Sequence, residues 1–291
     1  MTEINGKTRL CGVIGHPVEH TLSPLIHNML AADLGHDLVY VPFHVEKDLR
    51  AAVEGAYALN ILGLNVTVPY KSEVLGALRG VDETAERIGA VNTLVRSAER
   101  GGYVGYNTDV GGLRRALRMD GVSLTGRSVV LLGAGGAARA AAFLCAKEGA
   151  ARLAIVNRTR EKAQALAEEV RRFYPETDVR ALSYEALREQ TKEGERVIAI
   201  QSTSVGLYPH CDDCPVTDAR FFETVEYAFD LIYRPQETAF LRRVREAGGR
   251  TANGLAMLLW QAVEAYELWN ETRVDEAEAA RVLEKLRAAV R

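Results

Sequence analysis

The sequence predicts an α/β protein with two domains. Apolar segments of strand length alternate with helical patterns along the chain, as in βαβ units that form parallel sheets. The 291 residues are more than one hydrophobic core usually organises. A glycine-rich turn at Gly133 lies between a predicted strand and a predicted helix. Together these observations favour two α/β domains, the second of which carries this turn.

The first part of the chain alternates between strand and helix. Ser23-Pro24 begins the first helix, because Ser is a favoured cap and Pro fits the first turn. We predict strands at residues 10–14, 38–45 and 63–68, helices at 24–34 and 48–59, and further helices through Arg87. Two short β runs joined by a charged, Gly-containing loop then predict a hairpin of residues 91–96 and 103–106.

A second alternating series follows a helix that begins near Asp109. Helical segments separate most of its strands, which is typical of a parallel sheet. The predicted strands are residues 128–132, 153–156, 179–182, 197–200 and 227–231. After Asn253-Gly254 the pattern is helical, at residues 255–270 and 274–290.

Composition excludes several classes of protein. The formal net charge of −3, from 36 basic and 39 acidic residues, gives no electrostatic reason to expect nucleic acid or a membrane surface as partner. No apolar run approaches the roughly 20 residues that span a bilayer, and the polar N-terminus does not resemble a signal peptide. Four cysteines in a chain of this size do not indicate a disulfide framework. We therefore expect a cytoplasmic protein.

The glycine-rich turn reads Gly133-Ala134-Gly135-Gly136-Ala137-Ala138, a G-x-G-x-x-A pattern that opens a helix. The first glycine permits the tight turn, the second lets the backbone approach a pyrophosphate, and the small last residue packs the helix against the strand. The helix N-terminus offers unpaired N–H groups and partial positive charge to phosphates. Any α/β protein can use such glycines for a tight turn, but the flanking strand and helix favour a Rossmann domain that binds a dinucleotide.

The end of the next strand distinguishes the two nicotinamide cofactors. An NAD site places Asp or Glu about 20 residues after the glycines, where it accepts hydrogen bonds from the ribose. This chain has Asn157-Arg158-Thr159 there, with Lys162 one helical turn further on. These side chains suit the 2′-phosphate of NADP, which a carboxylate would repel. Arginine is also common at solvated strand ends, but its spacing from the glycines favours NADP.

A segment with a single lysine, Asn65-Val66-Thr67-Val68-Pro69-Tyr70-Lys71, ends the third predicted strand. We expect Pro69 to open a helix and Lys71 to lie in its first turn. The field at a helix N-terminus disfavours an ammonium ion, and a lysine placed there can transfer a proton near neutral pH. From this segment alone, a surface lysine whose stem covers the strand end is the simpler alternative.

Asn107-Thr108-Asp109 precedes a helix predicted at residues 110–117. Residues of this kind before a helix are ordinary caps. A carboxylate close to Lys71 would instead hold its ammonium group in position. Spacing alone does not show that the two side chains meet.

These segments, with several others, resemble the shikimate dehydrogenase family from Cys11 to about Trp269. Several motifs in the family's order are far more specific than any one of them. The motifs are Gly15-His16-Pro17, His20-Thr21-Leu22-Ser23-Pro24, Asn65 to Lys71, Ala90-Val91-Asn92-Thr93, Asn107-Thr108-Asp109 with Gly112, Gly133 to Arg139, Asn157-Arg158-Thr159, and Gly254 to Gln261.

The resemblance implies a mostly parallel α/β substrate domain at residues 1–108, completed by C-terminal helices at 254–291, and a Rossmann domain at 109–253. It implies the reversible, NADPH-dependent reduction of 3-dehydroshikimate to shikimate in aromatic amino-acid biosynthesis. Lys71 would be the general acid/base, and Asp109 would orient it and bind substrate hydroxyls. We expect no metal ion, and a monomer and a homodimer are both open.

Contacts with the substrate and the nicotinamide also follow from the resemblance. Thr21 and Ser23 would bind the substrate carboxylate. Tyr233 would close over the substrate, and Gly254 and Met257 would lie beside the nicotinamide. Without the resemblance, Met257 would be ordinary core packing, and Gln261 an ordinary exposed amide. The residues expected to bind the ring hydroxyls are Asn65, Thr67, Asn92 and Gln261.

The chain departs from the family pattern at two positions. Thr21 stands where serine is usual, and its extra methyl group can tighten the carboxylate pocket or alter tolerance for quinate. Gln201 stands where asparagine is usual, and its longer side chain can shift the backbone beside the nicotinamide. Separately, Cys211 and Cys214 follow His210 at a spacing that suits zinc. No second pair of ligands is evident, so we expect a variable loop without metal.

Two other functions stay open. A quinate/shikimate dehydrogenase of the same fold would accept a wider range of substrates, or NAD. A non-catalytic dinucleotide-binding regulator is the more distant alternative, and the presence of both Lys71 and Asp109 argues against it.

Overall fold

The computed structural model describes residues 4–190 and 194–290, which form two compact units. The first unit contains the chain up to Gly112 together with Leu258–Leu286. The second contains Leu113–Met257 and the last residues of the chain, from Arg287 onward. The domain limits predicted after residues 108 and 253 stay predictions.

The first unit contains a six-stranded sheet. Its strands are β1 (Arg9–Gly15), β2 (Leu38–His44), β3 (Gly63–Val66), β4 (Gly80–Val81), β5 (Thr93–Ser97) and β6 (Gly102–Tyr106). Their order in the sheet is β2-β1-β3-β5-β6-β4. The pairings are parallel except those of β5, which runs antiparallel to β3 and β6. The predicted mostly parallel sheet and its hairpin are therefore confirmed.

Helices cover this sheet and bury its apolar side chains. Val53 of the second helix packs in one cluster with Leu64 and Leu94 of the sheet. Burial of such side chains stabilises the unit by about 1.5–3 kcal/mol each. The helices are α1 (Ser23–Asp33), α2 (Leu49–Ala58), the 3₁₀ helix Glu73–Ala77, α3 (Glu83–Ile88), α4 (Asp109–Met119, which continues into the second unit), α10 (Leu255–Asn270, which begins there) and α11 (Glu276–Ala289).

The helices predicted through Arg87 are the 3₁₀ helix and α3, and the short strand β4 between them was not predicted. A turn, the 3₁₀ helix and the short strand β4 occupy most of this stretch. Gly76 and Gly80 weaken a helix here, because glycine loses the most backbone entropy on folding. Helix α3 begins only after Asp82, whose carboxylate accepts hydrogen bonds from the backbone N–H groups of Thr84 and Ala85 at 2.9 and 3.3 Å.

The second unit contains an all-parallel sheet. Its strands are β7 (Ser128–Leu132), β8 (Arg152–Val156), β9 (Asp178–Leu182), β10 (Val197–Gln201), β11 (Val225–Asp230) and β12 (Arg250–Asn253). Their order is β12-β11-β10-β7-β8-β9. This is the strand order of a Rossmann fold, with β7 as its first strand, and it confirms the predicted fold class. Strand β12 was not predicted, because its four residues are mostly polar and only partly buried at the sheet edge.

Small and aromatic side chains build the core of the second unit. Most of the alanines of its first helix are buried and let that helix approach the sheet closely. Phe221 and Phe240 pack with Leu132 and Ala199 of the sheet. The helices are α5 (Gly136–Lys147), α6 (Arg160–Phe173), α7 (Tyr184–Gln190), α8 (Ala219–Thr224) and α9 (Ala239–Glu246).

None of the helices in the described ranges combines the length and the apolar character that crossing a membrane requires.

Candidate active site

The first unit contains an ion pair between Lys71 and Asp109. The Nζ of Lys71 lies 2.6 Å from Oδ2 of Asp109. The Lys71 side chain is 23% exposed, whereas the Asp109 side chain is only 9% exposed. A nearly buried carboxylate thus holds an ammonium group that still reaches solvent, as a group that exchanges protons requires.

Strand pairing brings these two residues together. In the sheet, Thr93 of β5 pairs with Asn65 of β3 on one side and with Tyr106 of β6 on the other. Lys71 follows β3, and its carbonyl accepts a hydrogen bond from the Val91 N–H at 2.7 Å, just before β5. Helix α4 follows β6. The end of β3, the start of β5 and the end of β6 therefore meet at one place in the sheet.

The prediction that Lys71 lies in the first turn of a helix is wrong. The Tyr70 N–H donates to the Thr67 carbonyl at 2.9 Å and closes a turn in which Pro69, after a cis peptide bond, is the third residue. Lys71 lies between this turn and the 3₁₀ helix. The field of a helix N-terminus is therefore not what acts on Lys71; the Asp109 carboxylate is.

Asp109 is the first residue of α4, but its carboxylate serves the ion pair. Its Oδ2 contacts the Lys71 ammonium, and its Oδ1 accepts a hydrogen bond from Asn92 Nδ2 at 2.9 Å. Its backbone N–H donates to Asn107 Oδ1 at 3.2 Å. A carboxylate in the first turn also interacts favourably with the helix dipole. The carboxylate therefore holds the Lys71 ammonium group in position from the first turn of the helix.

A buried set of polar side chains, which we call the amide network, adjoins the ion pair. It begins at Tyr40, whose hydroxyl donates to Asn65 Oδ1 at 2.7 Å. Sequence reasoning assigned no role to Tyr40, Thr93 or Thr108, because nothing in a single sequence shows that their hydroxyls meet two amides. The network consists of Tyr40, Asn65, Asn92, Thr93 and Thr108.

The other residues expected to bind substrate have local partners. Thr21 Oγ1 lies 3.2 Å from Ser23 Oγ and accepts a hydrogen bond from the Ser23 N–H, so threonine keeps the hydroxyl that serine would supply. The Thr67 N–H donates to the Ile14 carbonyl. Gln261 Nε2 donates to the Leu258 carbonyl of its own helix at 2.8 Å.

In the second unit, Gly133 forms the tight turn after β7. Its φ of +115° lies in the region that favours glycine, and a Cβ there would lie 2.6 Å from Ser202 Oγ. A Cβ at Gly135 or Gly136 would meet no described protein atom within 4 Å. Packing does not require glycine at these two exposed positions, and the backbone stays open to a ligand.

Helix α5 begins at this turn without a side chain to cap it. Its N-cap is Gly135, and its first turn contains no acidic residue. The uncapped N–H groups and the partial positive charge of the helix suit an anion. The turn and the helix together fit the pyrophosphate of a dinucleotide.

The end of β8 fits the 2′-phosphate of NADP. Arg158 and Lys162 are exposed, and neither forms an ion pair with a residue that the structure describes. Thr159 is the N-cap of α6, yet its side chain forms no capping hydrogen bond within the described region. Asn157 Nδ2 donates to the Thr159 carbonyl at 2.9 Å and stabilises this bend. Two cations and a hydroxyl therefore lie at a strand end, and none of the carboxylates that the structure describes is bound to them.

A loop after β11 carries Tyr233 and is anchored by Asp230. The Asp230 carboxylate accepts hydrogen bonds from the Ile232 N–H at 2.9 Å and from the Thr238 hydroxyl at 2.6 Å. Burial raises the pKa of Asp230 to about 6. Burial also raises the pKa of the partly buried Tyr233, so its hydroxyl stays protonated. Gly254 approaches this loop so closely that a Cβ would collide with the Leu231 carbonyl.

The remaining residues discussed from the sequence are Met257, Gln201, Cys211 and Cys214. Met257 is buried. Gln201 folds back on its own loop, with Nε2 donating to the carbonyls of Thr203 and Val205 at 3.3 and 3.1 Å, so the longer amide holds this loop. Cys211 and Cys214 are free thiols. Within the described ranges, no group of three or more His, Cys, Asp or Glu side chains is placed to hold a metal ion.

Three family models match the chain. The shikimate dehydrogenase substrate binding domain matches residues 13–94, and shikimate/quinate 5-dehydrogenase matches residues 115–207. The C-terminal domain of shikimate 5′-dehydrogenase matches residues 254–284. The matched segments cover most of the chain in order.

Similar proteins cover nearly the whole chain. The shikimate dehydrogenase (NADP(+)) of Methanothermobacter thermautotrophicus is 44% identical over 267 residues, which are 91% of this chain and 92% of that relative. The structure of shikimate 5-dehydrogenase from Listeria monocytogenes in complex with shikimate and NAD is 33% identical, with a TM-score of 0.90 over 98% of this chain and 99% of that one. Shikimate 5-dehydrogenase from Thermus thermophilus, in complex with NADP(H) and shikimate, is 33% identical, with a TM-score of 0.83 over 95% and 99%. The chain therefore belongs to the shikimate dehydrogenase family.

Proposed function

We propose that this protein is an NADP-dependent shikimate dehydrogenase, which reversibly reduces 3-dehydroshikimate to shikimate in the shikimate pathway. The observation that carries the proposal is the Lys71–Asp109 ion pair, in a chain 44% identical to a shikimate dehydrogenase (NADP(+)). An alcohol and a ketone interconvert by transfer of a hydride and a proton. The hydride transfer needs a bound dinucleotide, and the proton transfer needs a positioned acid/base.

Lys71 is the proton donor and acceptor in this proposal. When bound, NADPH would supply the hydride that reduces the carbonyl carbon. The Lys71 ammonium gives its proton to the carbonyl oxygen as negative charge develops there, and takes it back in the oxidation. Asp109, 2.6 Å away, keeps the ammonium in one position and stabilises its charge. Because Lys71 remains 23% exposed, solvent can restore the proton after each turnover.

Substrate recognition relies on short polar side chains. Thr21 and Ser23 bind the carboxylate through hydroxyl groups, and Asn65, Thr67, Asn92 and Gln261 bind the ring hydroxyls. Asp109 also accepts from a hydroxyl, and Tyr233 closes over the ring. Such groups recognise a polyol through hydrogen bonds without burying a further unpaired charge.

The second unit binds NADP through two features. The residues Gly133–Ala137 and the N-terminus of α5 would hold the pyrophosphate, and Gly254 and Met257 would lie beside the nicotinamide. The 2′-phosphate would be held by Asn157, Arg158, Thr159 and Lys162. The exposure of Arg158 and Lys162 supports this assignment, since a cation without a protein carboxylate is available to a phosphate.

We further propose a cytoplasmic monomer or homodimer. All four cysteines are free thiols, which suits a reducing compartment.

A matrix of two substrates and two cofactors tests the proposal. Initial rates of cofactor reduction are measured with shikimate or quinate, each with NADP⁺ or NAD⁺. We expect the highest kcat/KM for shikimate with NADP⁺. A higher value for quinate with NAD⁺ would contradict the proposal.

The second candidate is a quinate/shikimate dehydrogenase with wider use of substrate or cofactor. The family model over residues 115–207 describes shikimate and quinate dehydrogenases together, and the similar Listeria structure contains NAD. The same matrix distinguishes this candidate. Inactivity in all four combinations would instead favour the more distant alternative, a non-catalytic dinucleotide-binding regulator.

A further inference from the structure

We propose that Thr93 is a positioning residue that fixes the orientation of the Asn65 and Asn92 amides. Its hydroxyl would make Asn65 an acceptor only, and Asn92 a donor only, toward the substrate. The inference rests on the proposed function, because it concerns how the site recognises the substrate of that reaction. Thr93 itself is fully buried, so it would act through the two amides and not by contact with the substrate.

The orientation of Asn92 is determined by partners that cannot exchange roles. Its Oδ1 accepts from the Thr108 backbone N–H at 2.8 Å, and a backbone N–H can only donate. Its Nδ2 donates to Asp109 Oδ1 at 2.9 Å, and a carboxylate can only accept. One amide hydrogen of Asn92 is left without an acceptor among the described residues.

The orientation of Asn65 is determined in the same way. Its Nδ2 donates to the backbone carbonyl of Asn92 at 3.2 Å and to Thr93 Oγ1 at 3.1 Å, which uses both amide hydrogens. Its Oδ1 accepts from the Tyr40 hydroxyl at 2.7 Å. Asn65 therefore has no hydrogen left to donate to a ligand and can only accept.

The Thr93 hydroxyl joins the two amides. It accepts from Asn65 Nδ2 at 3.1 Å and donates to Asn92 Oδ1 at 3.0 Å. A hydroxyl can accept a hydrogen bond on one side and donate one on the other. The Thr108 hydroxyl lies 3.2 Å from both Thr93 Oγ1 and Asn92 Oδ1, and in the described structure it forms no hydrogen bond with Asn65.

This arrangement determines which hydrogen bonds one substrate hydroxyl can form with the two amides. A hydroxyl that donates to Asn65 Oδ1 and accepts from Asn92 Nδ2 satisfies both amides. Without the Thr93 hydroxyl, the Asn65 amide loses one internal acceptor and can turn its N–H toward the ligand. The site would then present two donors to that hydroxyl, and its affinity for the substrate would fall.

The test compares Thr93→Val with Thr108→Val. Each removes one fully buried hydroxyl of the same network and adds a methyl group of similar size, so their stability losses should be alike. We expect Thr93→Val to raise the KM and the Kd for shikimate roughly tenfold, with a smaller change in kcat. Thr108→Val should change them less than threefold or so, and Thr93→Ser should restore most of the affinity. The Kd for NADP⁺ should not change in any variant.

An equal rise in the KM for shikimate in Thr93→Val and Thr108→Val would overturn the inference, as would failure of Thr93→Ser to restore it. If Thr93→Val does not fold, Thr93→Ala and Thr108→Ala are compared by the same criteria. A wild type that does not turn over shikimate would overturn the proposed function, and this inference with it. An active wild type whose Thr93→Val variant keeps its KM would overturn the inference alone.

Discussion

Lys71 and Asp109 are 38 residues apart in the sequence, yet their side chains form a contact of 2.6 Å. Neither residue lies in a regular strand. Lys71 is held in a turn after β3, and Asp109 begins the helix after β6. The hydrogen-bonded pairing of β5 with both strands sets the distance between them. The proposed acid/base pair is therefore a product of the sheet topology.

Replacing the carboxylate of this pair tests its electrostatic role. In Asp109→Asn we expect kcat for shikimate oxidation to fall roughly 100-fold, because the Lys71 ammonium loses its only anionic partner within the described residues. The Kd for NADP⁺ should stay unchanged. Asp120→Asn is the matched control, since Asp120 accepts a hydrogen bond from the Tyr227 hydroxyl at 2.6 Å in the second unit. A similar loss of kcat in both variants would mean that the effect is not specific to the pair.

The choice of cofactor should depend on Arg158. We expect Arg158→Ala to raise the KM for NADP⁺ about tenfold or more and to leave the KM for NAD⁺ nearly unchanged, because only NADP⁺ carries the 2′-phosphate. Arg171→Ala, an exposed arginine in the last turn of α6, is the control. Equal effects on the two cofactors would place the 2′-phosphate elsewhere.

His27 should reduce stability at neutral pH. It is fully buried and stacks on Tyr40 with ring centroids 4.2 Å apart, and neither ring nitrogen has a hydrogen-bond partner in the described structure. We expect His27→Phe to raise the free energy of unfolding by about 1 kcal/mol at neutral pH. His36→Phe is the control and should lower it, because His36 Nδ1 bonds the Tyr266 hydroxyl at 2.7 Å.

The same histidine should make the free energy of unfolding depend on pH. Burial lowers the pKa of His27 to about 3, from 6.5. The unfolded chain therefore takes up a proton below pH 6.5 that the folded chain does not, and stability falls as the pH falls through this range. Relative to His27→Phe, the wild type should lose roughly 2 kcal/mol between about pH 7 and pH 5 in denaturant titrations. A constant difference between the two proteins would contradict this.

Asp230 should have the opposite effect on the pH dependence of stability, because its contribution is lost as the pH rises. Burial raises its pKa from 3.8 to about 6, so the folded chain holds this proton more tightly than the unfolded chain. Its contribution to stability is present below about pH 4 and is lost as the pH rises through 6. The stability of Asp230→Asn relative to the wild type should therefore rise by roughly 3 kcal/mol over this interval. Chemical denaturation of both proteins at several pH values measures it, and no change in the difference would refute the assignment.

Sequence patterns predict the parts of this molecule that depend on local chemistry. Apolar runs identify most strands, and the glycines at 133–136 locate the Rossmann turn. Strand β12 is not predicted, because its residues are mostly polar. A proline alone does not reveal the Thr67–Tyr70 turn, so the sequence wrongly predicts a helix at Lys71. The role of Thr93 depends on two amides that approach it from β3 and from the residue beside it. That arrangement exists only after the strands have paired.

The most direct test of the account is the turnover of shikimate by Lys71→Ala. The account predicts that kcat with NADP⁺ falls by roughly 100- to 10,000-fold, because no positioned group accepts the hydroxyl proton. The Kd of NADP⁺, measured by calorimetry on the same preparation, should equal that of the wild type. A Lys71→Ala protein that keeps kcat within a few-fold of the wild type would contradict the account, because proton transfer would then not pass through Lys71.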